Sequence, residues 1–276
     1  MQTAEDHKQA GNVLFKQEDY AGAVQEYTKA IIRDSSNPAY FTNRALCRLR
    51  LGQHEQVLSD CDKAIELSAE SMKAHYYKSQ ALLELGRPNE ALSAGRTAYT
   101  LAIAQKSASA SAISTTVLMA KKNRWEARER RRIEAEGELL VEARALLEAA
   151  RDSKLAAARA QLGGYELEDE VDTIHHTYRA KIDALEGALG RVDEAFRVRT
   201  VPEYLIDPIS FNVFYDPVIS KSGQSYEKSV LLEHLKNHKF DPFTREYLRP
   251  EDLRPNLALR AAAEEFLEHN GWAVDA

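Results

Sequence analysis

The chain has 276 residues, room for about two domains, and 44% apolar content, ordinary for a soluble protein with a sizeable core. Its net charge of -6 argues against a general nucleic-acid binder. The only cysteines are Cys47 and Cys61, so no zinc set can be assembled and neither metal nor cofactor is implied. Both sit at apolar helical positions and read as small core residues in a reducing compartment. No run reaches membrane-spanning length, and MQTAEDHKQAGN at the start lacks the apolar stretch of a signal peptide. The expected location is the cytoplasm, with a nuclear share left open, and no membrane or nucleic-acid partner is expected.

The first pattern along the sequence is a repeat. Ala30, Ala64 and Ala98 recur every 34 residues; Ala23, Val57 and Ala91 form a second column, and Gly11, Ala45 and Ser79 a third. Small residues in phase at this period signal tetratricopeptide (TPR) repeats, helix pairs that bury their apolar faces only by stacking. Three repeats are predicted over 5–106, punctuated by Asn37-Pro38 and Gly86-Arg87-Pro88. Lys8, Asn12, Asn43 and Lys73 fall on the first helices of the repeats, at spacings that return to one face. First helices line the groove of such a stack. Two ammonium groups and two amides there suit a ligand rich in carboxylate oxygens, such as the free C-terminus of a polypeptide with an acidic residue beside it. Tyr76 and Tyr77 are either an aromatic wall for apolar ligand side chains or repeat core.

After the small polar run KSASASAIS, read as a loop or frayed helix start, residues 115–199 hold no proline and much charge. The basic run AKKNRWEARERRR offers a patch for nucleic acid or anionic lipid. Interleaved Glu126, Glu129, Glu134 and Glu136 make a solvated helix face the better reading, with Trp125 packing the end of the repeats. Leu139, Leu140, Ala143, Leu146 and Leu147 mark one helix face. Past Gly163-Gly164, Val171, Ile174, Tyr178, Ile182, Leu185, Leu189, Val192 and Phe196 follow at coiled-coil spacing. Two long helices around the glycine pair predict a hairpin. Its stripe needs more cover than one helix gives, so a homodimer is expected.

The last segment, 200–272, is broken by Pro202, Pro208, Pro217, Pro242, Pro250 and Pro255. Asp216 to Ile219 and Gln224 to Tyr226 around Lys221-Ser222-Gly223 predict a β-hairpin. Helices are predicted over 229–236 and 257–269. The fold class is therefore mostly α, a TPR solenoid plus a long helical hairpin, with a small α+β module at the C-terminal end.

In order, PEYLIDPIS, DPVISKSGQSYEK, LEHL, FDPFTR and PNLALR resemble the U-box, a ubiquitin-ligase fold related to the RING finger but built without zinc. The resemblance implies that polar contacts replace metal, with Asp207, Ser225, Asp241 and Asn256 as candidates to brace the loops. It also implies that Ile209 and Phe211 in one loop and Pro242 in the other contact a ubiquitin-conjugating enzyme. Phe211 has core as its alternative reading. His234, on the central helix, is a packing or hydrogen-bonding residue near that groove. Arg245 would orient thioester-bound ubiquitin, with no covalent intermediate on the ligase.

The polar set of the repeats resembles the clamp of TPR domains that hold acidic chaperone tails; Tyr77 stands where many such clamps carry another cation. With NRALCRL, HEQVLSDC and AKKNRW added, the sequence is similar to the CHIP-type chaperone-dependent ubiquitin ligases. The run SASASA departs from that family, which carries acidic residues there. The resemblance implies a ubiquitin ligase and co-chaperone. Its partners would be heat-shock chaperone C-terminal tails, a conjugating enzyme, ubiquitin and misfolded clients. The rival reading is a non-enzymatic co-chaperone adaptor that dimerises through its last module.

Overall fold

The computed structural model describes residues 2–162, 165–189 and 200–275. Two compact units result: Met1–Glu126 together with Thr200–Ala276, and Ala127–Arg199.

The repeats are three helix pairs: α1 (Ala4–Lys16) with α2 (Tyr20–Arg33), α3 (Pro38–Arg50) with α4 (His54–Leu67), and α5 (Met72–Glu84) with α6 (Pro88–Ala104). Local chemistry starts them. Thr3 and Asp6 form a reciprocal capping box on α1. Asp19 caps α2 through the Gly22 N–H, and Asn37 caps α3 with Pro38 in the first turn. The turn inside the second and third repeats passes through a left-handed residue, Gly52 (φ 71°) and Gly86 (φ 68°); the first repeat puts Glu18 there, at φ 62°.

The predicted small columns lie where helices cross. Each alanine and valine in them is 0% exposed. A Cβ on Gly11 would come within 2.8 Å of the Tyr27 ring, and one on Gly95 within 3.0 Å of Ser79 Oγ. Size is traded across each pair. Gly11, Ala45 and Ser79 grow along the stack while Tyr27, Cys61 and Gly95, at matching places on the second helices, shrink. Between α3 and α4 the buried Asp60 carboxylate takes Arg44 at 2.6 Å and Arg48 at 2.8 Å, and Arg44 reaches back to Thr28 of α2. One carboxylate thereby ties two repeats.

The last module packs onto the repeats and shares their core. Its strands β1 (Pro217–Ile219) and β2 (Ser225–Glu227) form the predicted hairpin, and α9 (Lys228–Asn237) and α10 (Leu257–His269) match the predicted helices. A third strand, β3 (Arg254–Pro255), pairs with the other side of β1, giving the order β2-β1-β3. Leu205, Val213, Phe214, Tyr215, Ala263 and Leu267 join one apolar cluster with residues of α3 to α6 and with Ile113 and Val117. Tyr99 of α6 packs edge-on against Tyr215, and its hydroxyl donates to Asp216 at 3.2 Å. Ion pairs Arg96–Glu264 and Arg124–Glu268 rim the contact.

Helix α7 (Ala110–Gln161) begins before the expected boundary at 115, and its residues through Glu126 belong to this first unit. Two expectations for the basic run are corrected here. Trp125 donates its indole N–H to the His269 carbonyl and abuts Gly271, so its partner in these contacts is the last module rather than the repeats. Lys121 is not solvated: it is buried over the Tyr215 ring, and burial pushes its ammonium down to about 8.

In the second unit, the rest of α7 runs antiparallel to α8 (Tyr165–Leu189). Leu155 and Ala158 meet Ile174 and Tyr178, flanked by Leu147 and Val171, and Arg144 pairs with Glu186 at 3.0 Å. Leu139 and Leu146 of the predicted α7 face remain exposed, at 54% and 68%. The predicted turn at Gly163-Gly164 and the seam positions Val192 and Phe196 lie outside the described residues.

Candidate functional site

Two sites were expected, and both fall in the first unit. The groove set lies on α1, α3 and α5, as the repeat register requires. Asn12 meets Tyr27 of the same repeat, whose hydroxyl donates to Asn12 Oδ1 at 2.8 Å, and Asn43 of the next repeat acts on the same phenol. Burial pushes that phenol up to about 12, so it stays a donor. With the Asn12 oxygen fixed on Tyr27, its amide nitrogen faces away, 3.4 Å from Gln9. Lys8 is half-buried and held by Glu5 at 3.1 Å, an exposed i,i+3 pair that an incoming carboxylate can displace at small cost. Lys73 is exposed, with no hydrogen bond or ion pair among the described residues. Tyr76 and Tyr77 are in ring contact at 5.9 Å, both half-buried at the edge of the shared core. They therefore pack on the repeat core while keeping part of each ring in solvent. Tyr27 is the residue that sequence reasoning missed, because a tyrosine in a column with Cys61 and Gly95 reads as spacer, not as a hydrogen-bond hub.

The second site is a pair of loops with one architecture. Asp207-Pro208-Ile209-Ser210-Phe211 and Asp241-Pro242-Phe243-Thr244-Arg245 share an Asp-Pro start, a hydroxyl residue at the fourth place and one backbone pattern. In each, the fifth N–H donates to the aspartate carbonyl at 2.9 Å, and the aspartate N–H donates to the sixth carbonyl at 2.8 Å. In each, the aspartate carboxylate accepts the N–H of the Ser or Thr. In each, the fifth residue is left-handed: Phe211 at φ 58° and Arg245 at φ 63°. Bridges Ile206↔Val213 and Phe240↔Tyr247 close the two loops alike.

Of the four bracing candidates, Asp207 and Asp241 hold the loops, while Ser225 and Asn256 join β2 to the start of α10. Asp207 takes the Ser210 N–H and hydroxyl at 2.7 Å each and the Glu227 N–H at 2.9 Å. Asp241 accepts five donors: the Ser220, Ser222 and Tyr226 hydroxyls and the Phe243 and Thr244 N–H groups. Burial pushes the Asp241 carboxyl up, but those bonds outweigh it and hold it far below the usual carboxylate range. Asn256 joins Ser225 and caps α10. Glu227, not foreseen, accepts the Tyr215 and Asp216 N–H groups at 2.9 Å each, and burial pushes its carboxyl up to about 7.

On this frame the named side chains divide. Phe211 is 73% exposed, which removes its alternative reading as core. Ile209 and Pro242 are half-buried, and Ile209 leans on the small core of Val218, Tyr226 and Leu248, so it is less exposed than expected. Arg245 is exposed and laid over the Phe240 ring at 5.0 Å. His234 stands behind the second loop, its Nε2 bonded to the Phe240 carbonyl at 3.1 Å. Phe240 thus links His234 to Arg245, a contact the sequence did not reveal.

Residues 201–272 match the U-box domain family, and residues 120–199 match the family described as the CHIP N-terminal tetratricopeptide repeat domain. The E3 ubiquitin-protein ligase CHIP of Arabidopsis thaliana is 34% identical over 282 residues, 98% of this chain and 95% of that protein. The Hsp70-Hsp90 organizing protein of Triticum aestivum is 34% identical over 96 residues, 35% of this chain but 16% of that protein. Among solved structures, the TPR2B domain of yeast Sti1 in an Hsp70 complex is similar at 28% identity, covering 42% of this chain and 94% of that one with a TM-score of 0.41. The whole-length match, with the braced loop pair beneath it, places the chain in the CHIP family of U-box E3 ubiquitin-protein ligases.

Proposed function

We propose that the repeat groove receives the acidic C-terminal tail of a heat-shock chaperone while the paired loops hold a ubiquitin-conjugating enzyme charged with ubiquitin. The observation that carries the groove reading is the placing of Lys8, Asn12, Asn43 and Lys73 on the first helices of the three repeats, with the Asn12 amide fixed by the Tyr27 hydroxyl. Lys8 on α1 and Lys73 on α5 add the charges for a carboxylate. The similarity of 96 residues of this chain to an Hsp70-Hsp90 organizing protein supports the chaperone as ligand.

On the loops, Ile209, Phe211 and Pro242 form the apolar docking patch, with His234 behind them. Transfer is a thioester aminolysis. A client lysine amine attacks the thioester carbonyl, an isopeptide bond forms, and the conjugating enzyme's thiol leaves. The ligase supplies geometry. Arg245, steadied by Phe240, restrains ubiquitin in the attack-ready arrangement. Tethering to the chaperone raises the effective concentration of misfolded-client lysines.

Calorimetry with a chaperone tail peptide and its amidated form tests the groove. Amidation and Lys8→Ala should each weaken binding more than about tenfold, the loss of one charged hydrogen bond. Equal affinity for both peptides defeats the reading. The exposed Leu139, Val141 and Leu146 support a homodimer built on the hairpin. Light scattering should give about twice the 31.1 kDa mass of one copy, and a monomer at micromolar concentration would refute it.

A further inference from the structure

Where the last module packs on the repeats, it leaves part of the contact open. A cavity of about 230 Å³ lies between the end of α6, the start of α7 and α9. Ala102 and Ile103 of α6 and Ala110 of α7 line one side, and Leu232 and Leu235 of α9 the other. Ser229, the buried polar residue of the lining, has its hydroxyl near Ser114 and Glu227, at 3.4 and 3.5 Å. The charges are Lys106 and Lys236 against Glu233. All three are exposed and have no hydrogen bond or ion pair from their side chains among the described residues. Lys106 is also the left-handed residue that follows α6, at φ 52°, where the Ser107 N–H closes on the Ala102 carbonyl at 2.9 Å. Glycine takes such a place without strain. A lysine kept there at a conformational cost, beside an apolar recess, points to a use for its side chain.

We propose that this cavity binds a small amphipathic carboxylic acid, its apolar body between α6 and α9 and its carboxylate at Lys106 and Lys236. The volume admits a molecule the size of octanoate and is too small for a polypeptide segment or a long-chain lipid. Charge selects the head. Two ammonium groups against one carboxylate leave the mouth a net cation, and an incoming carboxylate has no protein partner to displace from either lysine. Glu233 works against a dianion, so a monocarboxylate fits best. The site shares no residue with the groove set or the paired loops. A molecule in it would touch both modules, so occupancy would hold the U-box against the repeats.

The test uses the full-length protein with octanoate, 4-phenylbutyrate and the uncharged octanamide, read by calorimetry and by melting. At least one acid should bind in a single copy per chain, and saturating amounts of it should raise Tm by a few degrees. Octanamide should bind about fivefold more weakly than octanoate. Lys106→Gly relieves the left-handed backbone, so it should raise Tm of the free protein while weakening octanoate about fivefold. Lys236→Ala should weaken octanoate similarly and leave Tm where it is. Leu232→Phe fills the cavity and should abolish binding; if that variant does not fold, Ile103→Phe fills it from the other side. The proposal is overturned if neither acid binds wild type at millimolar concentration, or if octanoate and octanamide bind alike. It is equally overturned if both lysine variants keep wild-type affinity for octanoate, or if a folded, filled variant still binds it.

Discussion

The repeats and the U-box solve the same problem, a small core, by opposite means. The repeats distribute it. Gly11 with Tyr27 and Ser79 with Gly95 are local fits, and each helix pair leans chiefly on its neighbours. The U-box concentrates it. Asp241 alone gathers five donors from the second loop, the strand β2 and the hairpin turn. A distributed design tolerates a poor residue; a concentrated one does not. The functional surfaces follow suit. The groove is assembled from side chains on separate helices, while the docking surface rides on two loops held by two carboxylates.

Asp241→Ala is the sharpest way to break that contrast. It strands the Tyr226 hydroxyl and the Phe243 and Thr244 N–H groups, and should destabilise the U-box by about 3 kcal/mol or more. Urea unfolding reads the loss, and binding of a tail peptide shows whether the repeats stay folded without it. A module that keeps its stability would show that the loops do not depend on this carboxylate.

Acid and base should separate the two buried carboxylates of the module. Asp241 is held low, so its contribution is full above the ordinary aspartate value and disappears as pH falls toward the folded value. Glu227 is the reverse. Its folded value of about 7 lies above the unfolded one, so the folded state binds the extra proton and stability declines as pH rises from about 4.5 to 7. Melting curves from pH 4.5 to 8 should show a decline that Glu227→Gln flattens. An unchanged slope would mean that Glu227 is ionised throughout.

The smallest effect belongs to the repeats. Glu18 holds at φ 62° the place that Gly52 and Gly86 hold in the other two. Glu18→Gly removes the Cβ clash and should raise stability by about 1 kcal/mol, read as a shift in melting temperature with tail affinity unchanged. A loss of stability would show that the turn is restrained by something other than backbone strain.

What the amino-acid sequence revealed follows the same division. Periodicity exposes a distributed design, so the columns of Ala30, Ala23 and Gly11 announced the stack. A concentrated design shows only where a residue's neighbours in space are also its neighbours in sequence. Asp241 was legible as a brace, but its hold on Ser220 and Tyr226 was not. The strand β3 escaped notice because it is two residues long and ends in Pro255. Lys121 was read as solvated and Trp125 as packing on the repeats for a plainer reason: the element that covers both lies far along the sequence.

That separation in sequence has a consequence for how the protein is made. Residues 200–275 leave the ribosome after the repeats and both long helices. Until they arrive, Tyr99 lacks Tyr215 and Asp216, Trp125 lacks the His269 carbonyl, and Lys121 has no ring above it. The nascent polypeptide therefore carries a sticky aromatic seam that only its own C-terminal segment can close. A copy cut short before Thr200 keeps that seam open, so the repeats and the start of α7 would present apolar surface that the full-length protein buries.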